Sequence, residues 1–166
     1  MNTNTAVVEH TFEPVYDSSS RLLILGTFPS VKSRENGFYY GHPQNRFWKV
    51  ISQITQEDLP DTIEKKKALL LRQGIAIWDV IHSCRITGSS DSSIRDVVAN
   101  DIGGLLKNTS ITHIFGNGDK ACRLYEKYCQ EQTGKPIIRL PSTSPANAAF
   151  SLARLIECWG RILEEE

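Results

Sequence analysis

Short apolar runs alternate along the chain with amphipathic stretches of helical length. The runs are rich in residues that favour β-strands and show no alternation of apolar and polar positions. This pattern is typical of strands that are covered on both faces in a parallel sheet. The predicted strands are the run that Gly26 closes, Ile75–Ile81, Ile111–Phe115 and Pro136–Leu140.

The amphipathic stretches carry apolar side chains at helical spacing. Parallel neighbours in a sheet need such crossovers, which are overwhelmingly right-handed. The pattern therefore predicts an α/β fold, a three-layer α/β/α sandwich around a short, mainly parallel four-stranded sheet. The predicted helices run over Arg46–Thr55, Pro60–Gln73, Asp119–Gln132 and about Ala146–Leu163.

The length of 166 residues predicts a single domain, residues 1–166, with loose ends at 1–17 and 164–166. The amino terminus lacks the cationic start and apolar run of a signal peptide, and no segment is long enough to span a membrane. We expect a soluble cytoplasmic protein, nucleoid-associated if bacterial and nuclear if eukaryotic.

Nineteen basic and nineteen acidic side chains leave no net charge, so any nucleic-acid surface must be a local patch. The four cysteines form no C-x-x-C pair and lie at no zinc-ligand spacing from a histidine, so we expect reduced, buried thiols and no metal site. The candidates for the basic patch are Lys32, Arg34, Arg46 and Lys49.

Polar loops follow three of the four predicted strands, at 26–30, 116–119 and 140–147. Such strand ends converge at the edge where open α/β sheets place their ligand crevice. The last loop offers three hydroxyls and the start of a helix, which suit a phosphate oxygen. The alternative is an ordinary turn in which Thr143 or Ser144 caps a helix.

Three segments taken together, Gly26–Ser30, Tyr39–Trp48 and Leu140–Asn147, resemble the uracil-DNA glycosylase superfamily. Within it the sequence is most similar to the hypoxanthine-DNA glycosylase branch, also called DNA-deoxyinosine glycosylase. Segments 77–85 and 90–95 share that likeness, so the resemblance covers most of the chain from Leu22 to Trp159.

The resemblance implies a monofunctional DNA glycosylase that flips a deaminated base out of DNA and hydrolyses its N-glycosidic bond, which initiates base excision repair. The implied base is hypoxanthine, with uracil or xanthine as further candidates. It implies no cofactor and no metal, with damaged DNA as the partner. We expect no association with a membrane, and a monomer suits an enzyme that scans DNA.

The first motif departs from those of other branches in a way that bears on catalysis. Phe28 stands where the uracil-specific branch has an aspartate, and the mismatch-specific branch has an asparagine. The hypoxanthine branch instead uses an asparagine that corresponds to Asn45, so we expect Asn45 to orient the attacking water. A carboxamide is a poor proton acceptor, and Asp79 is the carboxylate that could replace it. Without the resemblance, Asn45 would be interpreted as a helix cap.

Four residues are predicted to hold the flipped base. Phe28 would stack on it, with a core position as its alternative, and Tyr40 would form a wall of the pocket. His42 would donate to a base carbonyl or a phosphate, or else support its loop. Asn117 would recognise the edge of the base, although an asparagine between glycines is also an ordinary turn residue.

The DNA backbone is expected to contact Ser30, Ser142, Ser144 and Asn147. The family's intercalating position falls near residues 147–149, which hold no large leucine, and this favours lesions that are already poorly paired. Two other functions remain open: a catalytically silent nucleic-acid-binding module on the same fold, and an enzyme that acts on free nucleosides or nucleotides.

Overall fold

The computed structural model describes residues 5–10, 12–29, 31–87 and 94–164. Within them, strands and helices alternate along most of the chain. The strands are β1 (Thr5–Glu9), β2 (Leu22–Gly26), β3 (Ile75–Asp79), β4 (Ile81–Thr87), β5 (Arg95–Ala99), β6 (His113–Asn117) and β7 (Ile137–Leu140). The helices are α1 (Val31–Asn36), α2 (Phe47–Thr55), α3 (Ile63–Arg72), α4 (Ile102–Lys107), α5 (Asp119–Tyr128), α6 (Gln130–Thr133) and α7 (Leu152–Trp159), and a 3₁₀ turn (Gly160–Leu163) follows α7.

The central sheet is parallel and four-stranded, with the order β3-β2-β6-β7. Every residue of β2 is buried, as its unbroken apolar sequence predicts. Leu23 and Leu25 pack in a core with Tyr125 of α5, whereas Ile24 belongs to a second core with Trp159 of α7. Helices therefore cover both faces of the sheet, and the predicted three-layer α/β/α sandwich is confirmed.

A second, antiparallel sheet has the order β1-β4-β5 and was not predicted. The predicted strand Ile75–Ile81 is two strands, because the chain leaves the parallel sheet at Val80 and begins β4 at once. The Asn100 side chain holds this bend, donating from Nδ2 to the carbonyls of Asp79 (2.9 Å) and Ile81 (3.2 Å). The apolar run continues through the bend, so the composition of the run does not reveal the bend.

The amino-terminal segment that was expected to be loose contains β1. Residues 5–9 pair with residues 83–87 of β4, and the His10 amide donates to the His82 carbonyl at 2.7 Å. Five residues at the edge of a sheet show no clear periodicity, and their pairing partner lies more than seventy positions away. Among the described residues, no helix has both the length and the apolar character needed to cross a bilayer.

The last helix begins at Leu152 and not near Ala146 as predicted, with Ser151 Oγ accepting from the Arg154 amide at 3.1 Å as the cap. The preceding residues form a loop whose carbonyls accept hydrogen bonds from Arg46. A helix would need the carbonyls of its first residues for its own amides. The long-range contacts of Arg46 therefore favour the loop.

Candidate active site

The carboxyl ends of the parallel strands bring polar groups together in one row. Asp79 ends β3, Gly26 ends β2, Asn117 ends β6, and Thr143 follows β7 by three residues. Because the sheet order is β3-β2-β6-β7, these four residues follow one another along the same edge. The loops after these strands therefore lie together at one edge of the sheet, as the sequence predicts.

The Asn45 side chain approaches this row from the start of α2. Its Oδ1 accepts from the Phe47 amide and from the Thr143 hydroxyl, both at 2.9 Å. Both acceptor positions of that oxygen are then occupied. In the described part of the chain, Nδ2 has no hydrogen-bond partner, so the carboxamide is held in one orientation and presents its N–H groups.

Thr143 links Asn45 to Asn117. Its hydroxyl accepts from Asn117 Nδ2 at 3.0 Å, and its amide donates to Asn117 Oδ1 at 3.0 Å. The residue is 0% exposed, so these bonds lie away from competing water. Thr143 was not predicted for this role, because nothing in a run of three hydroxyl residues shows which one turns inward.

Tyr40 brings a hydroxyl to the centre of the row. Its ring stacks on Phe47 with centroids 4.1 Å apart, and its backbone has a φ of +54°, an uncommon conformation for an aromatic residue. Within the described residues its buried Oη makes no hydrogen bond of good geometry, although the Asn117 side chain lies close enough to lower its pKa, and a Cβ on Gly26 would lie 3.0 Å from it. Burial, and next the charge of Asp79, raise the pKa of Tyr40 well above its ordinary value, so the hydroxyl remains a donor.

Phe28 is partly buried against Ile81 and Cys84, beside the antiparallel sheet. The Arg34 guanidinium lies 5.6 Å from the centroid of its ring, a cation–π contact. His10 meets the same ring edge-on at 6.1 Å. Phe28 therefore lies at the β3 end of the row, and its stacking on a flipped base stays a prediction.

His42 is held by its own loop. Its Nδ1 accepts from the Gln44 amide at 3.0 Å, so the neutral ring carries its proton on Nε2. That N–H group has no partner in the described part of the chain. His42 therefore supports its loop through Nδ1, and its predicted contact with a base or a phosphate through Nε2 stays a prediction.

The loop after β7 is ordered by its own hydroxyls. Ser142 Oγ accepts from the Ser144 amide and Ser144 Oγ from the Ala146 amide, both at 3.1 Å. Asn147 Nδ2 donates to the Ser142 carbonyl at 3.0 Å. Each hydroxyl keeps its proton available for an outside acceptor, which suits phosphate. Ser30, the remaining predicted backbone contact, lies outside the described residues.

Arg46 does not contribute a free cation to the predicted basic patch. Its guanidinium donates to the carbonyls of Thr143 at 3.4 Å, Ser144 at 2.8 Å, Asn147 at 3.0 Å and Phe150. The Arg46 side chain therefore holds the loop after β7 in place. Its positive charge faces carbonyl oxygens of this loop and is not free to bind a phosphate.

Comparisons with known proteins match almost the whole chain. The model of the uracil DNA glycosylase superfamily matches residues 13–162. A hypoxanthine DNA glycosylase from Methanosarcina acetivorans is 37% identical over 150 residues, which cover 89% of this chain and 94% of the relative. Another from Methanosarcina barkeri is 34% identical over 113 residues, covering 66% and 71% of the two chains.

A solved structure is also similar to this one. The solution NMR structure of a candidate uracil DNA glycosylase from Methanosarcina acetivorans superposes with a TM-score of 0.80 at 35% sequence identity. The likeness covers 96% of this chain and 100% of that chain. The parallel sheet and its flanking helices are therefore an arrangement that the two proteins share.

Proposed function

The chain belongs to the uracil DNA glycosylase superfamily and is a DNA glycosylase, and on that premise we propose that the base it removes is hypoxanthine. Two relatives that carry the name hypoxanthine DNA glycosylase support this choice of base. DNA that contains deoxyinosine is then the substrate, and a monomer is the form that acts on it.

The observation that supports the proposed catalytic mechanism is the fixed carboxamide of Asn45. With Oδ1 held by the Phe47 amide and the Thr143 hydroxyl, the amide nitrogen faces away from both contacts. We assign to this nitrogen the positioning of the attacking water, by donating to the water oxygen. Orientation of a reactant in this way can supply several kcal/mol of the barrier reduction.

The reaction is hydrolysis. The water oxygen bonds to C1′ of the deoxyribose, the C1′–N bond breaks, and its electron pair leaves with the base. A carboxamide takes up no proton near neutral pH, so the reaction depends strongly on donors aimed at the departing base. Tyr40, His42 and Asn117 are the proposed donors, and Phe28 is proposed to stack on the base.

The DNA backbone is assigned to the loop after β7. The hydroxyls of Ser142 and Ser144 and the carboxamide of Asn147 are proposed to contact phosphates, together with Ser30. Residues 146–149 carry no large apolar side chain, so the part of the loop directly after Pro145 has little apolar bulk to insert between base pairs. Lesions that pair poorly are therefore the expected substrates, because they cost less to unstack.

A second candidate is a catalytically silent module that binds nucleic acid. The observation that favours it is the double occupation of Asn45 Oδ1, which leaves that oxygen unable to accept from a water molecule. A protein of this kind would bind damaged DNA without turnover.

The test uses labelled duplexes with deoxyinosine, deoxyuridine or deoxyxanthosine opposite each normal base, followed by alkali cleavage at abasic sites. The protein should cleave at inosine, and Asn45→Ala should lose most of that activity while it still binds the duplex. Cleavage mainly at uracil would overturn the choice of base. Binding without cleavage of any lesion would favour the silent module, and faster hydrolysis of free deoxyinosine than of duplex would favour a nucleoside enzyme.

A further inference from the structure

Asp79 is a buried carboxylate whose two oxygens have different surroundings. The residue is 3% exposed, and its Oδ2 lies 2.8 Å from His10 Nε2. An ionised carboxylate can only accept, so the imidazole N–H donates. The main-chain carbonyl of Asp79 accepts a hydrogen bond from the Asn100 side chain. One oxygen of the side chain is thus tied to a histidine that the sequence analysis did not select.

The other oxygen, Oδ1, faces the row of polar groups. A Cβ on Gly26 would collide with Asp79 Oδ1 and would come within 3.0 Å of Tyr40 Oη, so both polar atoms lie against the Gly26 backbone. A glycine permits this close approach. Within the described residues, Oδ1 has no hydrogen-bond partner of its own. It is therefore an available acceptor at the strand edge where the proposed base pocket lies.

His10 is enclosed by aromatic rings. Its ring centroid lies 4.7 Å from that of Phe12, 5.7 Å from that of Tyr39 and 6.1 Å from that of Phe28. Its side chain is 3% exposed, and Nδ1 is buried with no hydrogen-bond partner among the residues that the structure describes. A buried polar pair with an orphaned nitrogen is costly for stability. An unsatisfied buried polar group in a native structure calls for an explanation, and a catalytic role is one such explanation.

The other members of the row do not accept protons near neutral pH. Asn45 and Asn117 are carboxamides, and Tyr40 is a phenol. Burial and the Asp79 charge keep the pKa of both Tyr39 and Tyr40 far above its ordinary value. The carboxylate of Asp79 is the group of this row whose chemistry suits proton uptake.

We propose that Asp79 is the proton acceptor of this active site and that His10 is the residue that positions it. This inference rests on the proposed function. As the water oxygen bonds to C1′ and the C1′–N electron pair leaves with the base, one water proton passes to Asp79 Oδ1. The departing base anion takes its proton from solvent after release, and Asp79 returns its proton to solvent.

The first experiment compares single-turnover rates of the parent and Asp79→Asn on a deoxyinosine duplex. The carboxamide keeps an oxygen for the His10 N–H but loses the proton acceptor, so we expect a rate loss of about 100-fold or more. Duplex affinity and thermal midpoint should stay near those of the parent. The exposed Asp61, whose side chain pairs with Lys65 on the surface, provides the control Asp61→Asn, which should leave the rate unchanged.

A second variant, Asp79→Ala, tests the carboxylate directly. Added formate should restore part of its rate in a concentration-dependent way, because a small carboxylate can occupy the vacated space and accept the proton. Formate should not accelerate Asn45→Ala. A purely structural role for Asp79 predicts no response to formate.

His10→Phe tests the positioning role, because it retains a ring inside the aromatic enclosure and removes the donor. We expect a loss of about 10-fold in the parent background and no further loss when it is combined with Asp79→Asn. His10→Gln, which restores an N–H donor, should recover part of the rate.

An Asp79→Asn protein that cleaves inosine as fast as the parent would overturn this proposal and leave the proposed function intact. If the Asp79 variants fail to fold, His10→Phe at the parental rate would overturn it equally. A parent protein that cleaves no lesion duplex would instead overturn the proposed function, and the proton acceptor with it.

Discussion

At the scale of single residues, hydrogen bonds determine how the side chains of the site are oriented. Thr143 accepts from Asn117 and donates to Asn45, and this order fixes which end of the Asn45 carboxamide faces the row. Asn45 lies one residue before Arg46, the N-cap of α2, and its Oδ1 accepts from the first amide of that helix as well as from Thr143. Support of the helix start and catalysis are therefore compatible roles, because they use different atoms of one side chain.

Thr143→Val tests this arrangement, because valine has the same shape and lacks the hydroxyl. Asn117 Nδ2 loses its acceptor and Asn45 Oδ1 keeps only the Phe47 amide, so we expect the free energy of unfolding to fall by about 1–3 kcal/mol. The single-turnover rate on inosine should fall by a larger factor than duplex affinity. Denaturant melts and cleavage assays measure both quantities, and Thr143→Ser is the matched control that should stay near the parent. A valine variant with parental rate would contradict the linking role.

The burial of Tyr39 and Tyr40 should lower the free energy of unfolding at alkaline pH. Burial first and the Asp79 charge second raise the pKa of both, whereas an unfolded chain ionises tyrosine near 10.0. The free energy of unfolding is therefore independent of these groups below about pH 10, and falls as the pH rises above it. Urea melts from about pH 8 to 11 should show this fall, and Tyr40→Phe should make it less steep. Tyrosinate absorbance from these two residues before unfolding would contradict the prediction.

At the scale of elements, the functional loops are held by one another as well as by their own side chains. The loop after β7 is held by Arg46, which directly precedes α2, through four carbonyls between Thr143 and Phe150. The carboxamide of Asn45 and the proposed phosphate contacts are thereby tied together. A planar guanidinium with five donors suits this task better than an ammonium group.

Arg46→Met keeps the aliphatic length and removes every donor, so the loop should lose its anchor. Amides of residue 144 and of residues 146–150 should exchange hydrogen faster, and affinity for a lesion duplex should drop by about 10-fold or more through the loss of preorganisation. Arg46→Lys should be intermediate, because an ammonium group replaces only part of the contacts. Lys49→Met, at a neighbouring exposed position of α2, is the control for loss of charge alone. Equal effects of the two methionine variants would contradict the anchoring role.

At the scale of the whole molecule, zero net charge restricts how DNA is bound. With nineteen charges of each sign, long-range attraction to a polyanion is weak. Arg46 is directed at its own loop, so the local patch holds fewer free cations than its sequence indicates. Affinity must then come from hydroxyl and amide contacts and from the flipped base.

The salt dependence of DNA binding measures how many phosphates the protein's cations neutralise. Each phosphate that a cation neutralises adds about 0.9 to the slope of log K against log salt. We expect a slope of magnitude below about 4 for an inosine duplex, measured by fluorescence anisotropy across a range of salt concentrations. A slope of about 6 or more would contradict a mainly neutral interface and would point to a basic surface beyond the site.

The features that sequence alone determined are those that depend on local pattern. The unbroken apolar run before Gly26, the helical spacing from Phe47 to Ile54 and the polar loops after the strands predicted the central sheet, its covering helices and the edge that carries the site. Short-range sterics and burial require these patterns wherever they occur, so they can be recognised without coordinates. The resemblance carried by the same loops led to the family.

Only the tertiary structure decided which of the candidate groups meet, and through which atoms. The antiparallel sheet, the inward turn of Thr143, the four carbonyls on Arg46 and the burial of His10 against Asp79 join residues that are roughly seventy to one hundred positions apart. Such contacts leave no periodic trace in the chain, because each depends on how separate elements pack and not on the spacing within one. The proton acceptor proposed here follows from that packing, which brings the edge strand β1 and the end of β3 to the same point.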